Sequence, residues 1–213
     1  MIVPSMNSEE LYNEIFKDFE IVQRKATYLT DGLRREAIKS KAKHVNRIFD
    51  YKSKQLNKWF IVADYIVGHP AFILVVHYLD EYGFNGIRID AGNQSLTHVT
   101  PHFLERYNER FLKQPNLSKL ELLKRFIKNN PVYVIQSVFD TETKKYKISG
   151  RVNEGIVLGI KEVLRGKGKE INQYKTFISS DMIFENQADA LNYLGEQYDK
   201  YWNELPNITR RCA

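Results

Sequence analysis

The chain has 213 residues, of which 43% are hydrophobic and 27% charged. That is enough for a sizeable core, in one large domain or two small lobes, and it excludes a disordered composition. The single cysteine, Cys212, excludes an internal disulfide framework and a thiolate zinc site. The net charge of +6 is unevenly spread: nine Lys and Arg stand against two acids from Arg34 to Lys58, and one Arg against four acids from Trp59 to Pro101. A concentrated basic stretch points to an anionic partner, nucleic acid being the usual one, with a solvated helix face as the plain alternative. The first ten residues lack the basic and apolar regions of a signal peptide, and no apolar run reaches bilayer length. The expectation is a cytoplasmic protein that does not engage a membrane.

In chain order, Ser8 is read as the cap of a helix opened by Glu9 and Glu10, with Leu11, Ile15, Phe19 and Val22 at helical spacing. A second, surface helix is expected over Asp31–Lys43, where Leu33, Ala37 and Ile38 form a thin apolar face among cations. Strands follow at Val45–Tyr51, Trp59–Val67, Phe72–Leu79 and Ile87–Asp90, with turns at Gly68-His69-Pro70 and Asn85-Gly86. Phe72–Leu79 is apolar on both alternations and should be central in its sheet. His77 reads as a core histidine. Ala91–Ser95 is a small polar connection and the best boundary, giving regions 1–95 and 96–213.

Beyond it, Thr100 and Pro101 suit the cap and first position of a helix running to Phe111. Spacing by four puts His102, Arg106 and Arg110 in one row and Phe103, Tyr107 and Phe111 in another. The aromatic row can bury itself against a sheet, leaving the cationic row where a phosphate could reach it. The plain alternative pairs the arginines with carboxylates such as Glu109. A helix over Ser118–Lys128 follows, with Leu120, Leu123, Phe126 and Ile127 facing inward. Strands come next at Val132–Phe139, Tyr146–Val152, Ile156–Leu164 and Ile171–Ser179, the last two separated by the basic loop Arg165–Lys169. An amphipathic helix from Gln187 carries Leu191, Leu194, Tyr198, Tyr201 and Leu205 and ends at Pro206. The fold class is α+β, with antiparallel strands between N-terminal and C-terminal helices.

Residues 96–179 therefore read helix, helix, four antiparallel strands. The first helix carries His102, Arg106 and Arg110, and the last strand carries Tyr174-Lys175-Thr176-Phe177-Ile178. This resembles the broad group of small metal-independent ribonucleases that includes barnase-like, EndoU-like, colicin-like and RelE-like toxin domains. The matching positions are Thr100, His102, Arg106 and Thr176, and residues 1–95 have no counterpart. The resemblance implies RNA cleavage of toxin or phage type, without metal or cofactor. His102 would be the general acid or base, Arg106 and Arg110 a phosphate clamp, Lys175 a stabiliser of developing charge, and Thr176 a phosphate-orienting group.

Two alternatives stand beside it. One is a non-catalytic nucleic-acid binder using Arg34, Arg35, Lys39, Lys41, Lys43, Arg47 and Lys167, with help from Arg106 and Arg110. The other is an interaction protein whose aromatic surface meets a protein partner or a second copy. Pro101 separates His98 from His102, so no two-histidine metal face is expected.

Overall fold

The computed structural model describes residues 1–66, 69–90, 92, 94–166, 168–179, 182 and 193–200. Among the described residues, nine strands and a set of helices give an α+β protein, divided into two compact units, Met1–Ile89 and Asp90–Pro206. The division falls beside the polar connection that the sequence marks.

The first unit is one long helix and a four-stranded meander. Helix α1 spans Ser8–Ser40 without a break, where two helices were expected. Its cap is Asn7 rather than Ser8. The Asn7 side chain accepts from Glu10 N, and Glu10 Oε2 accepts from Asn7 N, each at 3.0 Å, closing a capping box. Leu11, Ile15, Val22, Ala26, Leu33 and Ala37 recur every four or seven residues, so one buried stripe runs the whole length. That continuous stripe carries the helix through residues 23–30, between the two helices that the sequence leads one to expect. The helix ends at Lys41, left-handed with φ 56°.

Strands β1 (His44–Lys52), β2 (Lys58–Ile66), β3 (His69–Asp80) and β4 (Gly83–Asp90) pair in sequence, all antiparallel, with β3 in the interior of the meander as expected. Two turns differ from expectation. His69 and Pro70 belong to β3, and Asn85-Gly86 lies within β4. The β3–β4 reversal is made by Glu81 and Tyr82 instead. Asp80 Oδ1 accepts from Tyr82 N at 2.8 Å and Gly83 N at 3.0 Å, and Gly83 takes φ 124°. Inside the unit Asp18 is fully buried, its Oδ2 accepting from Asn57 Nδ2 at 2.8 Å and Trp59 Nε1 at 3.2 Å. These bonds tie α1 to the start of β2.

The second unit opens with a strand that sequence reading missed, β5 (Ser95–Val99), followed by α2 (Pro101–Tyr107), a π-helical turn (Asn108–Leu112) and α3 (Lys119–Asn129). Strands β6 (Tyr133–Asp140), β7 (Lys145–Val152), β8 (Gly155–Val163) and β9 (Glu170–Ile178) are the four consecutive antiparallel strands anticipated. β5 joins them in parallel beside β9, giving the order β5-β9-β8-β7-β6 within this unit. The sheet is curled. Three strands separate β6 from β5, about 19 Å if flat at the usual spacing. Yet Tyr133 Oη on β6 lies 3.2 Å from Thr97 Oγ1 on β5.

The helices cover one face of this sheet through aromatic packing. Phe103 is fully buried, with ring contacts to Tyr107, Phe126, Tyr174 and Phe177. Residues 193–200 are helical, with Leu194 and Tyr198 buried. The rest of the expected C-terminal helix, including Leu191, Tyr201 and Leu205, lies outside the described residues.

Candidate functional site

Thr100 begins α2 as the sequence predicts, its side chain accepting from Phe103 N at 3.3 Å while donating to the Tyr174 carbonyl at 2.7 Å. The second bond has a topological cause. β5 pairs with β9 only as far as Val99 and Tyr174, then turns away into α2. The carbonyls of β9 on that side lose their strand partner, and each must find a donor. Thr100 serves Tyr174. Arg110 serves Phe177, its Nη1 donating to the carbonyl at 2.7 Å and to Thr176 Oγ1 at 3.3 Å. Both residues therefore close an open strand edge.

The row of three cations is not kept. After Tyr107 the helix widens into the π-helical turn Asn108–Leu112, which alters the rotation per residue. Arg110 turns onto β9, while Arg106 stays outside and gives Nη1 to Glu109 Oε2 at 2.9 Å. Arg106 Nε is buried without an acceptor. His102 is exposed, its nearest charge Glu105 Oε2 at 3.9 Å from Nδ1, and Glu105 also pairs with Lys119 at 3.0 Å. No hydrogen bond or ion pair among the described residues joins His102 to Arg106, Arg110, Lys175 or Thr176.

Lys175 is the extra residue of a β-bulge. Gly159 faces Tyr174 and Leu158 faces Thr176, leaving Lys175 unmatched. Gly159 permits the close approach, since a β-carbon there would lie 1.9 Å from the Gln173 carbonyl oxygen. Partial burial, then repulsion from Lys145, lowers the Lys175 pKa from its ordinary value. Of the five residues named for cleavage, the structure joins Arg110 with Thr176, sets Lys175 next to them in the chain, and leaves His102 and Arg106 in pairs with acids.

The second candidate surface is the end of α1 and the start of β1. Arg34, Arg35, Lys39, Lys41 and Lys43 are all exposed. None makes an ion pair or side-chain hydrogen bond among the described residues, whereas Arg47 pairs with Glu36 at 2.7 Å. His44 Nε2 lies 2.6 Å from Asp64 Oδ1 just beyond them. Lys39 also sits in the last turn of α1, where the helix dipole favours a cation. Lys167 lies outside the described residues.

Sequence reasoning passed over two polar centres. Glu154, in the β7–β8 turn, accepts from Tyr107 Oη at 2.5 Å, Asn129 Nδ2 at 2.8 Å and Asn130 Nδ2 at 2.7 Å. Burial, with the Glu154 carboxylate second, raises the Tyr107 pKa. The other is Asp18 with Asn57 and Trp59. Neither has a distinctive sequence signal, Asp18 lying between Lys17 and Glu20 and Glu154 in the turn Asn153-Glu154-Gly155.

Among the described residues no group of three or more His, Cys, Asp or Glu could share a metal ion, and no helix is long and apolar enough to cross a membrane. No protein family matches the chain, and no curated protein or solved structure is detectably similar to it.

Proposed function

We propose that the protein binds nucleic acid through the basic surface of α1 and β1. The observation that carries this reading is the set of five exposed cations, Arg34, Arg35, Lys39, Lys41 and Lys43, without a carboxylate partner. Cations packed this closely repel one another, and a polyphosphate relieves that repulsion while releasing counterions. The test is equilibrium binding of labelled RNA and DNA at low salt, with all five changed to Gln. Affinity should fall at least tenfold while the fold is retained. Equal affinity of the two proteins would return the stretch to a role in solubility.

A second reading, metal-independent RNA cleavage in the second unit, is favoured by one observation, the meeting of Arg110 with Thr176 beside Lys175. Cleavage would need His102 to move from Glu105 toward that group. Incubation of the chain with single-stranded and structured RNA in the presence of chelator tests it. Intact RNA, or His102→Ala cleaving normally while folded, would dismiss it.

A further inference from the structure

Resting on the binding reading above, we propose that the outer face of α1 is selective for single strands, with Tyr28 as a base-stacking platform kept open by Gly32. Tyr28 is 62% exposed, in the middle of a helix otherwise anchored by its buried stripe. One side of its ring is occupied, the Lys25 ammonium lying 5.2 Å from the centroid. The other side is set by the residue four positions on. Side chains in a helix lean toward the N-terminus, so a long side chain at position 32 would extend toward Tyr28. It is Gly32.

Nothing in the packing of the first unit calls for that glycine. A β-carbon built there meets no atom within 4 Å. Glycine in a helix interior is disfavoured relative to alanine. The residue is thus unfavourable locally and unneeded for packing, and it leaves the surface on the C-terminal side of Tyr28 without a side chain.

The surroundings fit a strand of nucleotides. Residues 25, 28, 32, 35 and 39 recur by three and four, so Lys25, Tyr28, Arg35 and Lys39 follow one stripe. Arg34 lies about 100° around the helix from Arg35, and Lys41 and Lys43 follow at the end of α1. An aromatic face flanked by cations is the recurring way to hold a single strand, with a base on the ring and phosphates on the cations. In a duplex the bases are stacked on one another and cannot reach such a ring. Two acids, Asp31 and Glu36, flank the same exposed arc; Glu36 is paired with Arg47, and Asp31 opposes a phosphate there.

The experiment measures affinity of the full chain and its variants for a labelled single-stranded 20-mer, the matching duplex, and phosphatidylserine vesicles. Tyr28→Ala should weaken single-strand binding about 5- to 150-fold, the range for loss of one base–aromatic stack, and leave duplex binding unchanged. Tyr28→Phe should bind as the wild type does. Gly32→Leu should weaken single-strand binding while stabilising the helix, which separates a blocked platform from a damaged fold. Asp31→Asn should tighten binding. Wild-type single-strand affinity in Tyr28→Ala, or an equal loss on strand and duplex, overturns the platform and leaves nucleic-acid binding standing. A wild type that binds vesicles but neither nucleic acid overturns both.

Discussion

At the scale of single residues, hydrogen-bond accounting separates structural cations from available ones. Arg110 is where an acceptor is waiting, because β5 leaves β9 before its last carbonyls are paired. Removing it strands a carbonyl and costs about 1.5–3 kcal/mol, the usual range for a bond with a charged donor. Arg110→Ala should therefore lower stability by that amount in denaturant unfolding, and Arg110→Lys should recover only part of it. An Arg110→Ala protein as stable as the wild type would refute the edge-closing role. Asp140 gives a pH-dependent case. A bond from Lys147, then backbone N–H donors in the following turn, hold its carboxyl down to about 2. A folded pKa below the ordinary carboxylate value stabilises the native state above that value, and the contribution fades as pH falls through about 2. NMR titration of the Asp140 carboxyl should show a midpoint near 2 in the wild type and one closer to 4 in Lys147→Gln.

At the scale of elements, α1 is held by a capping box, one buried stripe and a left-handed stop, while Gly32 in its interior lowers its helix propensity. Gly32→Ala should stabilise the protein by about 1 kcal/mol, seen as a rise in Tm of about 2–4 °C for a chain of this length. A fall in Tm would mean the glycine answers a steric demand inside the fold. The same helix shows where local reading falls short. A thin apolar face among cations reads as a separate surface helix, and only packing of the whole stripe on the sheet explains why α1 is continuous. β5 was hidden for a related reason. Ser95-Leu96-Thr97-His98-Val99 is short and half polar, and its strand character comes from pairing with β9, distant in sequence. In contrast, β6 to β9 were legible because their alternation is local and their reversals are short. The π-helical turn could not be read from spacing, since four-residue rows presume an α-helix throughout.

At the scale of the whole chain, the sequence carries two candidate surfaces of opposite character. The row on α2 looked chemical by spacing, but its members are engaged by Glu105, Glu109, Thr176 and the Phe177 carbonyl. The basic stretch looked ordinary by composition, and its first five cations, Arg34, Arg35, Lys39, Lys41 and Lys43, are the ones that remain exposed and unpaired among the described residues. Charge density along the chain was visible from the start. Which charges are neutralised depends on contacts between elements, and so was not. The central claim, that residues 34–43 form a phosphate-binding surface, is tested most directly by the salt dependence of binding. A cation that meets a phosphate contributes about 0.7 to the slope of log affinity against log salt for a single strand. Affinity of the wild type for a single-stranded 20-mer should fall steeply with salt, and changing Arg34, Arg35, Lys39, Lys41 and Lys43 to Gln should flatten that slope by roughly 3.5. An unchanged slope in the folded variant would contradict the account.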